Sequence, residues 1–455
     1  MSSLKEHIFR QYDIRGIYGK DLTDKDGELI GRAFGTMVLE GGETWVIVGR
    51  DNRKSSPALH RCLVHGLLST GVNVLDIGVV ISPIFYYAAH LYGVSSGLMI
   101  TASHNPAQYN GFKVQFGGQT IYGETLQILR RKVNEGSFAR GSGILDYRSP
   151  VRDYTEMIKS KVNLGRKKFK VVVDCGNGTA GSFAPEIFKE LGCEVIPLYC
   201  ESNPEFPHHF PDPVRPENLR DLIKTVMLAE ADVGFGFDGD GDRLGVVDDQ
   251  GNIIWGDMLM ILFWREILPK YPGTPGIVEV KCSDLLVREI ARLGGKPVFY
   301  KTGHSLIKAK MKELKAVFTG EMSGHMFFAD EYYGYDDAVY AAARLLRIMA
   351  ERDEPLSRLL SDLPQTYATP ELRIPCPEEK KGFYVQKAMD YFTLQNAEII
   401  DVDGVRIKFP HGWGLVRASN TGPELIVRCE GDSTQELAKI KEEIARAISP
   451  LFWEE

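Results

Sequence analysis

The sequence predicts an α/β fold: three similar α/β domains with mixed, mostly parallel sheets, plus a smaller α+β C-terminal domain, around a central cleft. Three observations predict it. Short β-branched runs recur at TWVIVGRD (44–51), KVVVDCGNG (170–178) and GIVEVKCSD (276–284). In each unit a third strand runs into a polar loop: TASHNP (101–106), FDGDGDR (237–243) and GEMSGH (320–325). Beyond residue 365 the pattern changes to short paired strands and one amphipathic helix.

The β-branched runs have the composition of strands buried in a parallel sheet. Helical stretches follow, such as SFAPEIFKELG (182–192) and DLLVREIARLG (284–294). They end in glycine, a usual stop signal. Second strands come next: GVNVLDIG (71–78), GCEVIPLY (192–199) and GGKPVFYKT (294–302). Ligands bind beyond the carboxyl ends of strands in open α/β sheets, so the three polar loops are expected to converge on one cleft. In the last unit, AEIIDVDGVRIKF (397–409) reads as a hairpin turning at Asp403-Gly404. WGLVRAS and ELIVRCE read as two further strands around SNTGP. The final helix opens with a possible capping box, Ser433 and Glu436, and carries Leu437, Ile440, Ile444 and Ile448 on one stripe. Linker signals at Arg148-Ser149-Pro150 and Asp362-Leu363-Pro364 place the domains at 1–149, 150–252, 253–365 and 366–455.

The 455 residues are 44% hydrophobic and 25% charged, which suits a globular chain of several cores. A net charge of −7 argues against a sequence-independent nucleic-acid binder, which needs a basic stripe. The seven cysteines form no Cys-x-x-Cys pair, which argues against a zinc site or disulfide framework and for free thiols in a reducing compartment. The N-terminus lacks an apolar core of signal-peptide length. The longest uncharged apolar run, Met258 to Trp264, is too short to span a bilayer. A cytoplasmic protein without membrane or nucleic-acid partners is expected.

Four loops carry the chemistry. In FDGDGDR, Asp238, Asp240 and Asp242 alternate with glycine, so an extended loop points all three the same way. Carboxylates crowded together repel, and a hard divalent cation such as magnesium relieves the repulsion. An EF-hand is rejected, because its sixth and twelfth positions here hold Arg243 and Asp249 rather than glycine and glutamate. Arg243 adds a phosphate donor. TASHNP presents Ser103 on a tight loop, with His104 beside it and Lys113 ten residues on. No G-x-S-x-G elbow accompanies Ser103, and Gly320–Gly324 has the wrong spacing, so a phosphoryl carrier fits better than a hydrolase nucleophile. GEMSGH offers Glu321 and Ser323 for two neighbouring sugar hydroxyls and His325 as a base. RASNTG (417–422) offers Arg417, Ser419, Asn420 and Thr421 around a phosphate.

A rival motif is Gly176–Gly181, a G-x-G-x-x-G after a strand, with Glu201 where a ribose-binding acid belongs. It keeps a dinucleotide-dependent oxidoreductase in view, although that reading leaves the other loops without a role.

TASHNP, DGDGDR, GEMSGH and RASNT, in that order and spacing over nearly the whole chain, resemble the α-D-phosphohexomutase family, in its bacterial phosphomannomutase/phosphoglucomutase branch. The resemblance implies that Ser103 is a phosphoserine and that it joins Asp238, Asp240 and Asp242 around magnesium. It implies that Glu321 and Ser323 contact the sugar, and that Arg417, Ser419, Asn420 and Thr421 hold the non-transferring phosphate. Tyr12 and Arg15, from a Y-D-I-R-G segment, and Lys281 and His304 match further substrate-contact positions. Gly422 departs from the threonine of many relatives, and Met322 from the glutamine usual in phosphoglucosamine mutases, the closest alternative activity. The implied reaction interconverts hexose 1- and 6-phosphates of mannose or glucose through a hexose 1,6-bisphosphate that also serves as activator. His104, Lys113 and His325 all stand as proton carriers, a hinge near residue 365 would let the intermediate turn, and a monomer or dimer is expected.

Overall fold

The computed structural model describes residues 4–419 and 422–449. Its first three sheets repeat one plan. In the first, the strand Trp45–Arg50 lies between Asn73–Val79 and Gly97–Ile100, all parallel, and Tyr109–Phe116 adds antiparallel beside Gly97–Ile100. In the second, Lys170–Asp174 lies between Glu194–Leu198 and Val233–Phe237, with Leu244–Asp248 antiparallel beyond. In the third, Pro275–Glu279 lies between Lys296–Tyr300 and Phe318–Gly320, with Met326–Phe328 antiparallel beyond. The loop between the last two strands of each plan is the polar loop read from the sequence. The short strand Ile253–Ile254 still pairs with the second sheet, so that sheet runs past residue 252.

Edge additions widen the first sheet. Ile14–Ile17 pairs antiparallel with Tyr109–Phe116, which carries Arg15 to the same end as the Ser103 loop. The fourth sheet is antiparallel throughout and is backed by the helices Glu378–Leu394 and Thr434–Ile448. In the latter, Ile440, Ile444 and Ile448 are buried, as their spacing predicts. Ser433 caps that helix by accepting from the Glu436 N–H at 3.1 Å, while the Glu436 carboxylate pairs with Lys439.

Packing separates the fourth unit from the rest. One apolar core runs through the first three sheets, from Ile81 and Phe85 through Tyr154 and Phe235 to Phe263 and Tyr340. The fourth sheet has its own core around Ile407, Val427 and Ile444. Much of its contact with the third unit is polar. Arg406 donates to the Val280 and Cys282 carbonyls at 2.5 and 2.8 Å and lies 3.5 Å over the Trp413 ring, while Arg428 pairs with Asp257. Among the described residues, no helix is long and apolar enough to cross a membrane.

Candidate active site

Ser103 sits at φ +50°, a left-handed conformation that costs a residue with a side chain about 1–2 kcal/mol. The surroundings hold it there. Its N–H donates to Thr101 Oγ1 at 2.9 Å, and its carbonyl accepts from Arg53 Nη2 at 2.6 Å. The buried Arg53 guanidinium also binds the carbonyls of Asn105, Pro106 and Tyr109 at 2.6, 2.8 and 3.1 Å, so one side chain braces the whole loop. The aspartate loop packs directly on it. A Cβ at Gly239 would stand 2.4 Å from the Ser103 carbonyl oxygen, so only glycine permits the approach.

Ser103 Oγ donates to Asp238 Oδ2 at 2.6 Å and lies 3.1 Å from His104 Nδ1. Asp238, Asp240 and Asp242 are fully buried, with a carboxylate oxygen from each within 4.8 Å of the others. Burial, with Asp242 and Asp240 adding to it, pushes Asp238 well above the ordinary carboxylate range. Burial also opposes ionisation of Asp240, but Lys113 outweighs it and holds that carboxyl low. Lys113 Nζ donates to Asp240 Oδ2 at 2.6 Å and Ser82 Oγ at 3.0 Å, and also to Asp242. Burial disfavours the Lys113 ammonium, yet the two carboxylates hold its pKa well above the usual value.

The aspartate cluster fits a divalent cation. Asp240 Oδ1 and Asp242 Oδ1 are buried without a hydrogen-bond partner, and the donors are all carboxylate oxygens, the set a hard cation takes.

From Asp238 an unbroken chain of contacts crosses to the other loops. Arg243 follows on the same loop, and its Nε–H donates to His325 Nε2 at 3.0 Å. The His325 ring proton therefore belongs on Nδ1, which faces Asp336 Oδ2 at 3.1 Å. His304 Nδ1 approaches the same oxygen at 3.6 Å, and its ring meets the edge of Tyr12 at 5.3 Å. Burial, and after it Lys308, drives His304 well below the usual histidine value; burial with Arg243 and Arg15 does the same to His104. Both imidazoles are neutral. A Cβ at Gly324, at φ +92°, would fall 2.3 Å from the Leu244 carbonyl, and the two loops join there through the Leu244 N–H to Gly324 carbonyl bond at 3.1 Å.

The chain continues to the fourth unit. Glu321 Oε1 accepts from the Gly303 N–H at 2.7 Å, and burial raises its pKa. The neighbouring Thr302 N–H donates to Asp403 Oδ2 at 3.0 Å, and Arg417 Nε donates to that same oxygen at 3.0 Å. Arg417 is buried and its Nη2 has no partner among the described residues, which leaves a donor open to an incoming anion. Arg15 likewise holds Asn105 Oδ1 and Asp13 Oδ2 at 2.5 Å each and leaves a buried Nε unpartnered.

Ser103, His104, Lys113, Asp238, Asp240, Asp242, Arg243 and His325 are thus brought together, with Tyr12, His304 and Glu321 adjoining. Ser323 lies on the same loop, half-buried. Lys281 is turned to Glu371 at 2.9 Å. Ser419 Oγ accepts from the Gly422 N–H at 3.2 Å, and Lys381 Nζ secures this loop through the Ser419 and Gly422 carbonyls at 2.6 and 3.1 Å. Asn420 and Thr421 lie outside the described residues.

Two readings need correction. Asp403-Gly404 is no two-residue turn: the strands Glu398–Ile400 and Val405–Phe409 leave four residues, 401–404, between them, and Asp403 serves Arg417. Gly176–Gly181 is a joint between the first two units. Asn52 donates to the Thr179 hydroxyl and the Asn177 carbonyl at 3.0 and 2.9 Å, the following 3-10 turn spans only Thr179–Ser182, and the Glu201 carbonyl is bound by Asn177. Sequence reasoning missed Arg53, Asp336 and Asp403, which bind functional residues without belonging to a polar cluster. The one available signal was Asp51–Arg53 at the end of the first β-branched run.

Four family models match the chain: phosphoglucomutase/phosphomannomutase alpha/beta/alpha domains I, II and III over residues 6–140, 152–251 and 255–367, and the C-terminal domain over 371–447. The phosphomannomutase/phosphoglucomutase of Pseudomonas aeruginosa is 46% identical over 96% of this chain and 95% of its own. The phosphoglucomutase of Neisseria gonorrhoeae is 43% identical over the full length of both chains. A crystal structure of a phosphoglucomutase/phosphomannomutase family protein from Burkholderia thailandensis superposes with a TM-score of 0.92 at 42% identity, covering 98% of this chain and 97% of that one.

Proposed function

The chain belongs to the phosphoglucomutase/phosphomannomutase family, and on that premise we propose that it interconverts hexose 1-phosphate and hexose 6-phosphate, accepting mannose and glucose, through a phosphoserine at Ser103. It is an isomerase. The observation that carries the proposal is Ser103 Oγ at 2.6 Å from Asp238, on a loop strained into place and braced by Arg53.

The hexose hydroxyl oxygen attacks the phosphorus on Ser103, an O–P bond forms to the sugar, and the Ser103 Oγ–P bond breaks. The hydroxyl gives up its proton and Ser103 Oγ regains one. Neutral His104, with Nδ1 3.1 Å from Oγ, takes up the proton the hydroxyl releases and, as the imidazolium so formed, returns it to Oγ as the Oγ–P bond breaks. Lys113 stays charged between the carboxylates, and His325 orients Arg243 toward the transferring group. Asp238, Asp240 and Asp242, with Ser103, would hold magnesium, which supplies positive charge beside that group when bound. Arg417, with its unpartnered Nη2, grips the phosphate that stays, and Glu321 and Ser323 the sugar hydroxyls. The hexose 1,6-bisphosphate so formed turns over and returns its other phosphate to Ser103. A hinge near residue 365 allows the turn, and the separate core of the fourth unit supports it. The units 1–149, 150–252, 253–365 and 366–455 form part of this proposal.

The test supplies glucose 1-phosphate, mannose 1-phosphate or glucosamine 1-phosphate with magnesium and a trace of glucose 1,6-bisphosphate. Isomerisation of the first two without net phosphate release is expected. Preference for the glucosamine substrate, or release of inorganic phosphate, would overturn the proposal.

A further inference from the structure

The first and third units border a half-open cavity of about 750 Å³, within the size range of small-molecule sites. One wall is the helix His304–Leu314. Its Lys308 and Lys312 lie four residues apart on one face, and Lys315 continues the stripe at the helix end. The facing wall is the helix Ser82–Tyr92, which contributes Tyr86 and His90. Tyr333 closes one side, its ring 4.2 Å from that of His90.

Charge gives the cavity its character. No aspartate or glutamate lines it, although the chain carries a net charge of −7. Lys308 is already matched, since its Nζ donates to Asp336 Oδ1 at 3.0 Å. Lys312 and Lys315 are exposed and have no acidic group within ion-pair distance among the described residues. Ser305 also lines the cavity, and its buried hydroxyl has no hydrogen-bond partner among the described residues. His90 and the Lys161 ammonium stand 4.2 and 5.5 Å from the centre of the Tyr333 ring, and the 38% of this residue left exposed offers a base an aromatic contact beside them. Two free cations side by side suit two linked anionic groups.

We propose that this cavity is a second ligand site, and that it takes a nucleoside diphosphate with its phosphates on Lys312 and Lys315 and its base against Tyr333. Among the described residues, none of those assigned to the mutase reaction lines the cavity.

The test measures binding to the full chain with magnesium, while an equilibrium mixture of glucose 1- and 6-phosphate keeps the cleft filled. The probes are uridine diphosphate, adenosine diphosphate and, as the ring-free control, pyrophosphate. At least one nucleotide is expected to bind once per chain, about tenfold or more tighter than pyrophosphate. The double variant Lys312→Glu/Lys315→Glu is expected to weaken it about tenfold or more while leaving nucleotide-free turnover unchanged. Tyr333→Ala is expected to weaken nucleotide but not pyrophosphate. The proposal fails if no probe binds, if the double variant binds as the native chain does, or if pyrophosphate binds as tightly as the nucleotides.

Discussion

Arg53→Lys tests the bracing of Ser103. The guanidinium fork reaches four loop carbonyls at 2.6 to 3.1 Å, and its Nε lies 3.2 Å from Asp51. Lysine keeps the charge beside Asp51, but its donors share one point and cannot span the same carbonyls. Each lost bond from a charged donor costs about 1.5–3 kcal/mol, so losing two exceeds the cost of about 1–2 kcal/mol that holds Ser103 left-handed. The serine should then relax out of line, and a shift near 1 Å costs about 100-fold in rate. Steady-state kinetics with glucose 1-phosphate should show kcat down about 100-fold, with KM changed less than about threefold, because Arg417 and Glu321 are untouched. A kcat within about threefold of the native value would refute the reasoning.

Three further outcomes are expected. Gly324→Ala should cost about 2 kcal/mol or more and part the second and third loops, read by thermal denaturation alongside turnover, because its Cβ would fall 2.3 Å from the Leu244 carbonyl at φ +92°. Removing divalent metal with a chelator should abolish turnover and added magnesium should restore it, checked in the same coupled assay, since Asp240 and Asp242 each keep a buried unpartnered oxygen. Burial opposes the charge on His209, but its bond to Asp174 outweighs burial and raises its pKa. The folded state therefore holds this proton more tightly, so the contribution is full below the unfolded value of about 6.5 and fades as pH climbs through the raised value. Denaturation midpoints measured across that window should fall with pH, and less so in His209→Gln.

The repeated plan was legible because three buried strands and their loops leave a periodic pattern in the chain. Asp238, Asp240 and Asp242 were legible because like charges packed together demand an explanation. Arg53 was not, since its partners are backbone carbonyls that every sequence contains. Asp336 lies eleven residues from His325 on a different stretch, and only the return of the strand Met326–Phe328 brings them together. Asp403 sits in Asp-Gly, a pair that signals a turn by composition, and its service to Arg417 depends on the register of two neighbouring strands of the fourth sheet, in which Val405 pairs with Val416. Gly176–Gly181 has the spacing of a dinucleotide loop because both uses need the same close backbone approach; here a Cβ at Gly181 would lie 2.1 Å from the Cys200 carbonyl.

The most direct test of the account follows the phosphoryl group itself. The chain is incubated with glucose 1,6-bisphosphate labelled in its phosphates, digested, and its peptides analysed by mass spectrometry, while a second portion is chased with unlabelled glucose 1-phosphate. Label is expected on Ser103 alone, with transfer of that label to sugar phosphate and no inorganic phosphate appearing. Label on another residue, or turnover retained by Ser103→Ala, would contradict the account.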